Sequence, residues 1–178
     1  MHRLSLAVAL VAVASLPLAS RPRIASGSVS DTRAIWSEVS KYITQSASDM
    51  SDADFQFRPT PEVRTFGQII AHIAGTQHFM CASALGEPTG SEDDIEKTKT
   101  TKADIVAALK ASNEYCAKAY AQSDDQVSGT VKLYGMDRSR FYALVLNATH
   151  DNEHYGNIVT YMRMRGLVPP SSRPSTTQ

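Results

Sequence analysis

The chain has 178 residues, of which 42% are hydrophobic, and its 18 Lys and Arg balance its 18 Asp and Glu. This length fits one domain with a single core. A formal net charge of zero argues against a nucleic-acid-binding protein, which normally carries a basic excess. The two cysteines exclude a disulfide-dense scaffold and a structural zinc site built from cysteines alone.

The N-terminal segment has the layout of a secretory signal peptide. A short basic start at His2 and Arg3 precedes an apolar run over residues 4–18, which is the usual order of regions in such peptides. A short membrane anchor is the alternative. The run is shorter than the roughly 20 residues that span a bilayer, so we favour export to the periplasm or the cell exterior, with no stable membrane anchor after cleavage.

The cleavage site falls in one of two regions with small residues, around Ala19 or at residues 25–27. Cleavage between Arg23 and Asp31 removes three arginines and no acidic residue, which leaves a mildly acidic mature chain with a net charge of −3. The predicted division is a signal peptide over 1–27 (cleaved between 19 and 28), a four-helix domain over 28–171 and a mobile tail over 172–178.

Apolar residues at helical spacing predict four helices and an all-α four-helix bundle. The first helix is predicted from Asp31 to about Met50. The second starts at Thr65, which forms a capping-box pattern with Gln68. The third starts at Thr101, and the last runs over about 139–165.

Two longer connections separate these helices. Residues 86–100 are polar and acidic and are predicted as an exposed connection. Residues 122–138 form the second one, in which Val131 to Tyr134 could be a short extended piece. No further strands are predicted.

Two histidines on the last helix point to a metal site. His150 and His154 are four residues apart, so their imidazoles project within about 40° of each other. Zinc-type ions bind neutral imidazoles. The pair alone also fits a solvent-facing polar stripe, so a third ligand is needed. His72 on the second helix is our choice, because His78 points about 120° away from it on the same helix.

The two histidines belong to a polar stripe along the last helix, with Asn147, Asn157 and Tyr161. The stripe runs at the flank of the apolar face, not at its centre. This position predicts a cleft between helices.

The stretches TFGQIIAHIAGTQHF and NATHDNEHYGNIVTYMRMRGLVPPSS resemble the DinB-like (DinB/YfiT) family, and so does FRPTPEVRTF before the second helix. The similarity covers residues 31–171. It implies an up-down-down-up four-helix bundle with a long crossover between helices 2 and 3. It also implies a divalent metal held by three histidines that match His72, His150 and His154, and we expect zinc or nickel. Relatives include thiol-dependent S-transferases and isomerases.

Three histidines leave a coordination position open for water, a thiolate or a substrate. Hydrolysis also needs a general acid or base. The candidate catalytic residues are Asp151, Glu153 and Tyr161, and solvated helix charges are the alternative interpretation of the two acids. Asn157 and Gln68 are further candidates for the cleft.

In the family topology, helices 2 and 3 run in parallel, which would bring Cys81 and Cys116 to a similar height. An oxidising compartment would permit a disulfide between them. Two buried free thiols are the equal alternative.

Three functions remain open at this point. The first is an exported metal-dependent hydrolase acting on a small molecule that the sequence does not identify. The second is a non-catalytic metal-binding or dimerisation bundle, and a second copy of the chain, forming a homodimer, is one candidate partner. The third is a thiol-dependent S-transferase, if the chain stays in the cytoplasm.

Overall fold

The computed structural model describes residues 27–174, so the predicted signal peptide before Gly27 and residues 175–178 of the predicted tail lie outside the described part. Four long helices form a bundle, which confirms the predicted fold class. The helices are α1 (Ser28–Asp49), α2 (Phe66–Leu85), the short α3 (Asp94–Thr98), α4 (Lys102–Ala119) and α5 (Arg140–Met164), and the strands are β1 (Thr130–Leu133) and β2 (Met136–Ser139).

The helix starts follow the capping residues that the sequence indicates. The Thr65 hydroxyl accepts from the Gln68 N–H, and the Gln68 side chain accepts from the Thr65 N–H at 2.8 Å. Helix α1 begins at Ser28, earlier than predicted. The Asp124 carboxylate accepts hydrogen bonds from the N–H groups of Ser28 and Val29 at 3.1 and 2.9 Å. This cap comes from a distant segment, so helical periodicity could not reveal it.

Helices α2 and α4 lie side by side and run in the same direction. Gly67 and Ile105 are neighbours near the two starts. Cys81 and Cys116 form a disulfide near the two ends, with their Cα atoms 5.3 Å apart. This separation is typical of disulfides. Of the two alternatives for the cysteines, the structure has the disulfide.

Helix α5 runs antiparallel to α2 and parallel to α1. The Tyr161 hydroxyl near the end of α5 donates to the backbone carbonyl of Arg64, just before α2, at 2.7 Å. Ser28 at the start of α1 and Ser139, the N-cap of α5, line the same cavity. The starts of α1 and α5 therefore lie at the same end of the bundle. Further along, the Tyr42 and Tyr155 rings stack with centroids 5.3 Å apart. The bundle therefore has the expected up-down-down-up order.

Apolar side chains hold α2 against α5 behind the predicted metal site. Ile70, Ile73, Ile158 and Met162 are fully buried in one apolar cluster. Burying side chains of this size stabilises a fold by about 1.5–3 kcal/mol each. This packing turns His72, the neighbour of Ile73, towards the flank where the two helices meet solvent.

The second connection contains a two-stranded antiparallel sheet, which is more than the single extended piece predicted there. Leu133 pairs with Met136 across a tight turn. Tyr134 and Gly135 have φ angles of 48° and 77°. Positive φ at both central residues is the geometry of a two-residue hairpin turn. Tyr-Gly lacks the usual Asn or Asp at the first position, so the sequence signal was weak.

The crossover between α2 and α4 is mostly exposed, as predicted, but it also packs against the bundle. It contains α3 and packs on α2, where Gly75 leaves room for it: a side chain at Gly75 would collide with the backbone carbonyl of Glu92. None of the helices within residues 27–174 has both the length and the hydropathy needed to cross a bilayer.

Candidate metal centre

Three histidines meet where α2 crosses α5. The Nε2 atom of His150 lies 3.2 Å from that of His72 and 3.0 Å from that of His154. One ring nitrogen from each residue lies within 4.8 Å of the others, and all three side chains are half-buried. The structure thus brings together the three residues that the sequence predicted as ligands.

This donor set fits a divalent metal. Imidazole binds zinc at about 2 Å, so tetrahedral ligand nitrogens lie about 3.3 Å apart. The observed Nε2 separations of 3.0 and 3.2 Å are close to this value.

The surroundings favour the neutral forms of His72 and His154, and the neutral imidazole is the form that binds metal. Burial, together with the charges of His150 and His72, lowers the pKa of His154 to about 3. Burial also lowers the pKa of His72, and the Arg64 and His150 charges add to this effect. The site therefore disfavours protons and would accept a cation that the nitrogens can coordinate.

Several buried polar atoms beside the histidines have no hydrogen-bond partner. They are Nδ1 of His150, Nδ1 of His154 and both carboxylate oxygens of Asp151. The Asp151 side chain is fully buried, and its Oδ1 lies 3.9 Å from His150 Nδ1. Burial raises the pKa of Asp151 to about 6. A buried carboxylate beside a histidine commonly orients that histidine on a metal, so these atoms fit an occupied site better than an empty one.

A cleft of about 660 Å³ opens beside His154. Its polar wall includes Arg64, Glu96, Asn157 and Tyr161. Burial raises the pKa of Tyr161, so its hydroxyl stays protonated and acts as a hydrogen-bond donor. The cleft provides the space for a small molecule next to the histidines.

The other predicted site residues are not all at the cleft. Tyr161 and Asn157 line it, whereas Glu153 is exposed and Asp151 is buried behind the histidines. Gln68 is occupied in the cap of α2. These positions leave Tyr161 as the one predicted catalytic candidate that faces the cleft.

Asn147 was wrongly placed in the cleft stripe. It is fully buried, and its Nδ2 donates to the Tyr120 hydroxyl at 3.1 Å. His78 lies away from the cluster, as expected, where its exposed ring packs on Tyr115 with centroids 4.3 Å apart.

Two charged residues at the site were missed by the sequence analysis. Glu96 Oε2 on α3 lies 3.5 Å from His72 Nδ1. Arg64 Nε donates to the other Glu96 oxygen at 2.9 Å. The acidic composition of residues 86–100 was the available signal, but it did not reveal which acid packs on α2.

The fold and the histidine cluster define a helical bundle with a candidate metal centre. The chain matches the DinB superfamily over residues 35–158 and belongs to that family. No curated protein matches the chain.

Solved structures share the fold at low sequence identity. A DinB-like protein from Bacillus cereus has a TM-score of 0.68 and 19% identity, over 79% of this chain and 95% of that one. YfiT from Bacillus subtilis, described as a probable metal-dependent hydrolase with an unusual four-helix bundle topology, has a TM-score of 0.61 and 17% identity, over 84% and 94%. A mycothiol-dependent maleylpyruvate isomerase has a TM-score of 0.60 and 15% identity, over 73% and 60%.

Proposed function

We propose that this chain is an exported metal-dependent hydrolase that acts on a small molecule. The observation that carries the proposal is the convergence of three imidazole Nε2 atoms, from His72, His150 and His154, beside an open cleft. Zinc or nickel is the expected ion, because imidazole suits both. The similarity to YfiT, itself described as a probable metal-dependent hydrolase, supports the reaction class.

A divalent metal held by three imidazoles supplies Lewis acidity and lowers the pKa of water at its open position. The chain's own residues would bind and orient the substrate. Asn157 has an exposed amide on the cleft wall, and Arg64 offers guanidinium donors there. The Tyr161 hydroxyl at the same wall donates its one proton to the Arg64 carbonyl at 2.7 Å, so its oxygen could accept a hydrogen bond from a donor group of the substrate.

Export is proposed from the N-terminal sequence and the disulfide. The sequence of residues 1–27 has the layout of a signal peptide. A Cys81–Cys116 disulfide is typical of proteins in oxidising compartments. Mass spectrometry of the chain purified from its natural host would test this. Export predicts a new N-terminus between residues 19 and 28 in a non-cytoplasmic fraction, whereas a full-length cytoplasmic chain would contradict it.

Thiol-dependent transfer is the second candidate. One structural neighbour is a mycothiol-dependent isomerase, and the open position that takes water can also take a thiolate. Thiol transfer would require the chain to remain in the cytoplasm, where such thiols are found.

A substrate screen separates these functions. Zinc- and nickel-loaded protein would be assayed on esters, amides and phosphoesters and in thiol conjugation. His154→Ala is the test variant, and His78→Ala is its control because His78 is exposed and outside the cluster. Hydrolysis that His154→Ala loses and His78→Ala retains supports the proposal. Thiol conjugation alone would favour the transferase, and inactivity with bound metal would favour a non-catalytic bundle.

A further inference from the structure

The Nδ1 atom of His72 faces away from the other two histidines and meets three polar groups. Glu96 Oε2, Thr76 Oγ1 and Arg64 Nη2 each lie 3.5 Å from it. The His72 side chain is 13% exposed and the Glu96 side chain 17%. The contact between them therefore lies largely out of water, where charge matters most.

Only one of these groups is a strong acceptor. When Nε2 binds a metal, Nδ1 carries the ring proton and must donate it. Arg64 has donors only, so it cannot accept this proton. Thr76 offers a neutral hydroxyl, whereas the Glu96 carboxylate, at ion-pair distance from Nδ1, offers a charged oxygen, which is the stronger acceptor for this proton.

Glu96 is itself held in place. Arg64 Nε donates to Glu96 Oε1 at 2.9 Å, which leaves Oε2 for His72. The backbone of Arg64 is fixed in turn, because its carbonyl accepts the Tyr161 hydroxyl at 2.7 Å. The Glu96 carboxylate thus links Arg64 on the cleft wall to His72, a candidate metal ligand.

The crossover reaches His72 because of a glycine one turn further along α2. The backbone of Glu92 packs against Gly75 so closely that no side chain fits there. This contact brings the start of α3, and with it Glu96, next to α2. The position of Glu96 next to His72 therefore depends on how the crossover packs on α2, and the sequence of α2 alone does not determine it.

We infer that the crossover completes the metal centre, with Glu96 as a positioning residue that fixes His72 with its proton on Nδ1, and with Arg64 holding Glu96 in place. This inference rests on the proposed metal site. Because Glu96 lies on α3, this helix would contribute to metal affinity in addition to the three histidines. Carboxylates that orient a metal-binding histidine commonly change metal affinity 10- to 100-fold.

The test compares Glu96→Gln with Asp94→Asn. The glutamine oxygen would still accept from Arg64, but its amide N–H groups would face His72 Nδ1 and favour a proton on Nε2. Asp94 is an exposed acid on the same helix, so Asp94→Asn removes the same charge without the contact. Zinc affinity would be measured by chelator competition.

We expect Glu96→Gln to weaken zinc binding about 10- to 100-fold and Asp94→Asn to leave it within about twofold. Equal affinities of the two variants would overturn the inference. If the native protein binds no zinc or nickel at all, the proposed function fails instead, so the two failures are distinct.

Nitrogen NMR of the metal-free protein reports which ring nitrogen of His72 carries the proton. A purely structural role of Glu96 would not change this tautomer. The native chain should show His72 as the neutral tautomer with its proton on Nδ1, and Glu96→Gln should shift the proton to Nε2. An unchanged tautomer in a folded Glu96→Gln variant would overturn the inference, independently of any metal measurement.

Discussion

The Nε2 atom of His72 lies 3.2 Å from that of His150, although 78 residues separate them in the chain. The antiparallel crossing of α2 and α5 produces this contact, and His154 joins it from the next turn of α5. Without a metal, each of these nitrogen–nitrogen contacts can share only one proton. A cation at the centre would use all three lone pairs at once.

Replacing Asp151 with Asn should change stability and metal affinity in opposite directions. Asp151 is fully buried with no hydrogen-bond partner on either oxygen, and its pKa is raised from 3.8 to about 6. Its folded-state ionisation therefore lowers stability as pH rises through about 6. In the metal-free protein near neutral pH, we expect Asp151→Asn to raise the free energy of unfolding by about 1–2 kcal/mol.

The same Asp151→Asn change should weaken zinc binding, because it removes a negative charge beside His150. Urea unfolding and chelator competition would measure the two effects. Glu153→Gln is the matched control, since Glu153 is an exposed acid on the same helix, and it should change neither quantity. A destabilised Asp151→Asn variant with native zinc affinity would contradict this account.

Acid should destabilise the metal-free protein through His154. Its pKa falls from 6.5 to about 3 in the folded state, so the unfolded chain binds the proton first as pH falls. The stability associated with neutral His154 is complete above about pH 6.5 and is lost as pH falls towards 3. Between about pH 7 and pH 4, the native chain should lose on the order of 2 kcal/mol more than His154→Gln.

Urea unfolding of the chelator-treated protein at several pH values would measure this difference. His78→Gln serves as the control, because His78 is exposed, and it should follow the native pH dependence. Identical pH dependence of the native chain and His154→Gln would show that His154 is not held neutral by burial.

The disulfide should stabilise the bundle. Cys81 and Cys116 are 35 residues apart in sequence, and closing a loop of this length removes unfolded-state entropy worth about 3–4 kcal/mol. Reduction should lower the free energy of unfolding by roughly that amount. A thiol assay of the denatured, unreduced protein should detect no free thiol, whereas two thiols per chain would rule out the disulfide in solution.

Gly75→Ala should disturb the crossover and the metal site together. The added methyl group would meet the Glu92 carbonyl, so the crossover must move away from α2 and take Glu96 from His72. We expect weaker zinc binding and faster amide hydrogen exchange in residues 91–99. Gly156→Ala is the control, because nothing lies within 4 Å of a methyl group there, and it should be neutral or stabilising.

The sequence was sufficient to predict the four long helices and the three histidines, for physical reasons, whereas the short α3 was not predicted. Helical periodicity and capping residues such as Thr65 are local, so they can be recognised without tertiary information. The spacing of His150 and His154 is also local. His72 could be added because its helix aims it at the same flank.

Other parts of the site depend on contacts between distant segments. The role of Glu96 requires the close approach of the crossover to Gly75, which no local pattern encodes. Asn147 shares the helical stripe of His150, but α5 passes deeper into the bundle at that turn, where Tyr120 contacts it. The hairpin turn at Tyr134 uses an uncommon residue for positive φ, so its signal was weak.

Metal content is the most direct test of the central claim that His72, His150 and His154 form one metal site. The native protein, the His150→Ala variant and the His78→Ala control would be loaded with zinc or nickel, desalted and analysed by mass spectrometry for metal. The account predicts about one ion per chain in the native protein and the control, and a large loss in His150→Ala. A fully folded native protein without metal, or a His150→Ala variant that keeps a full equivalent, would contradict it.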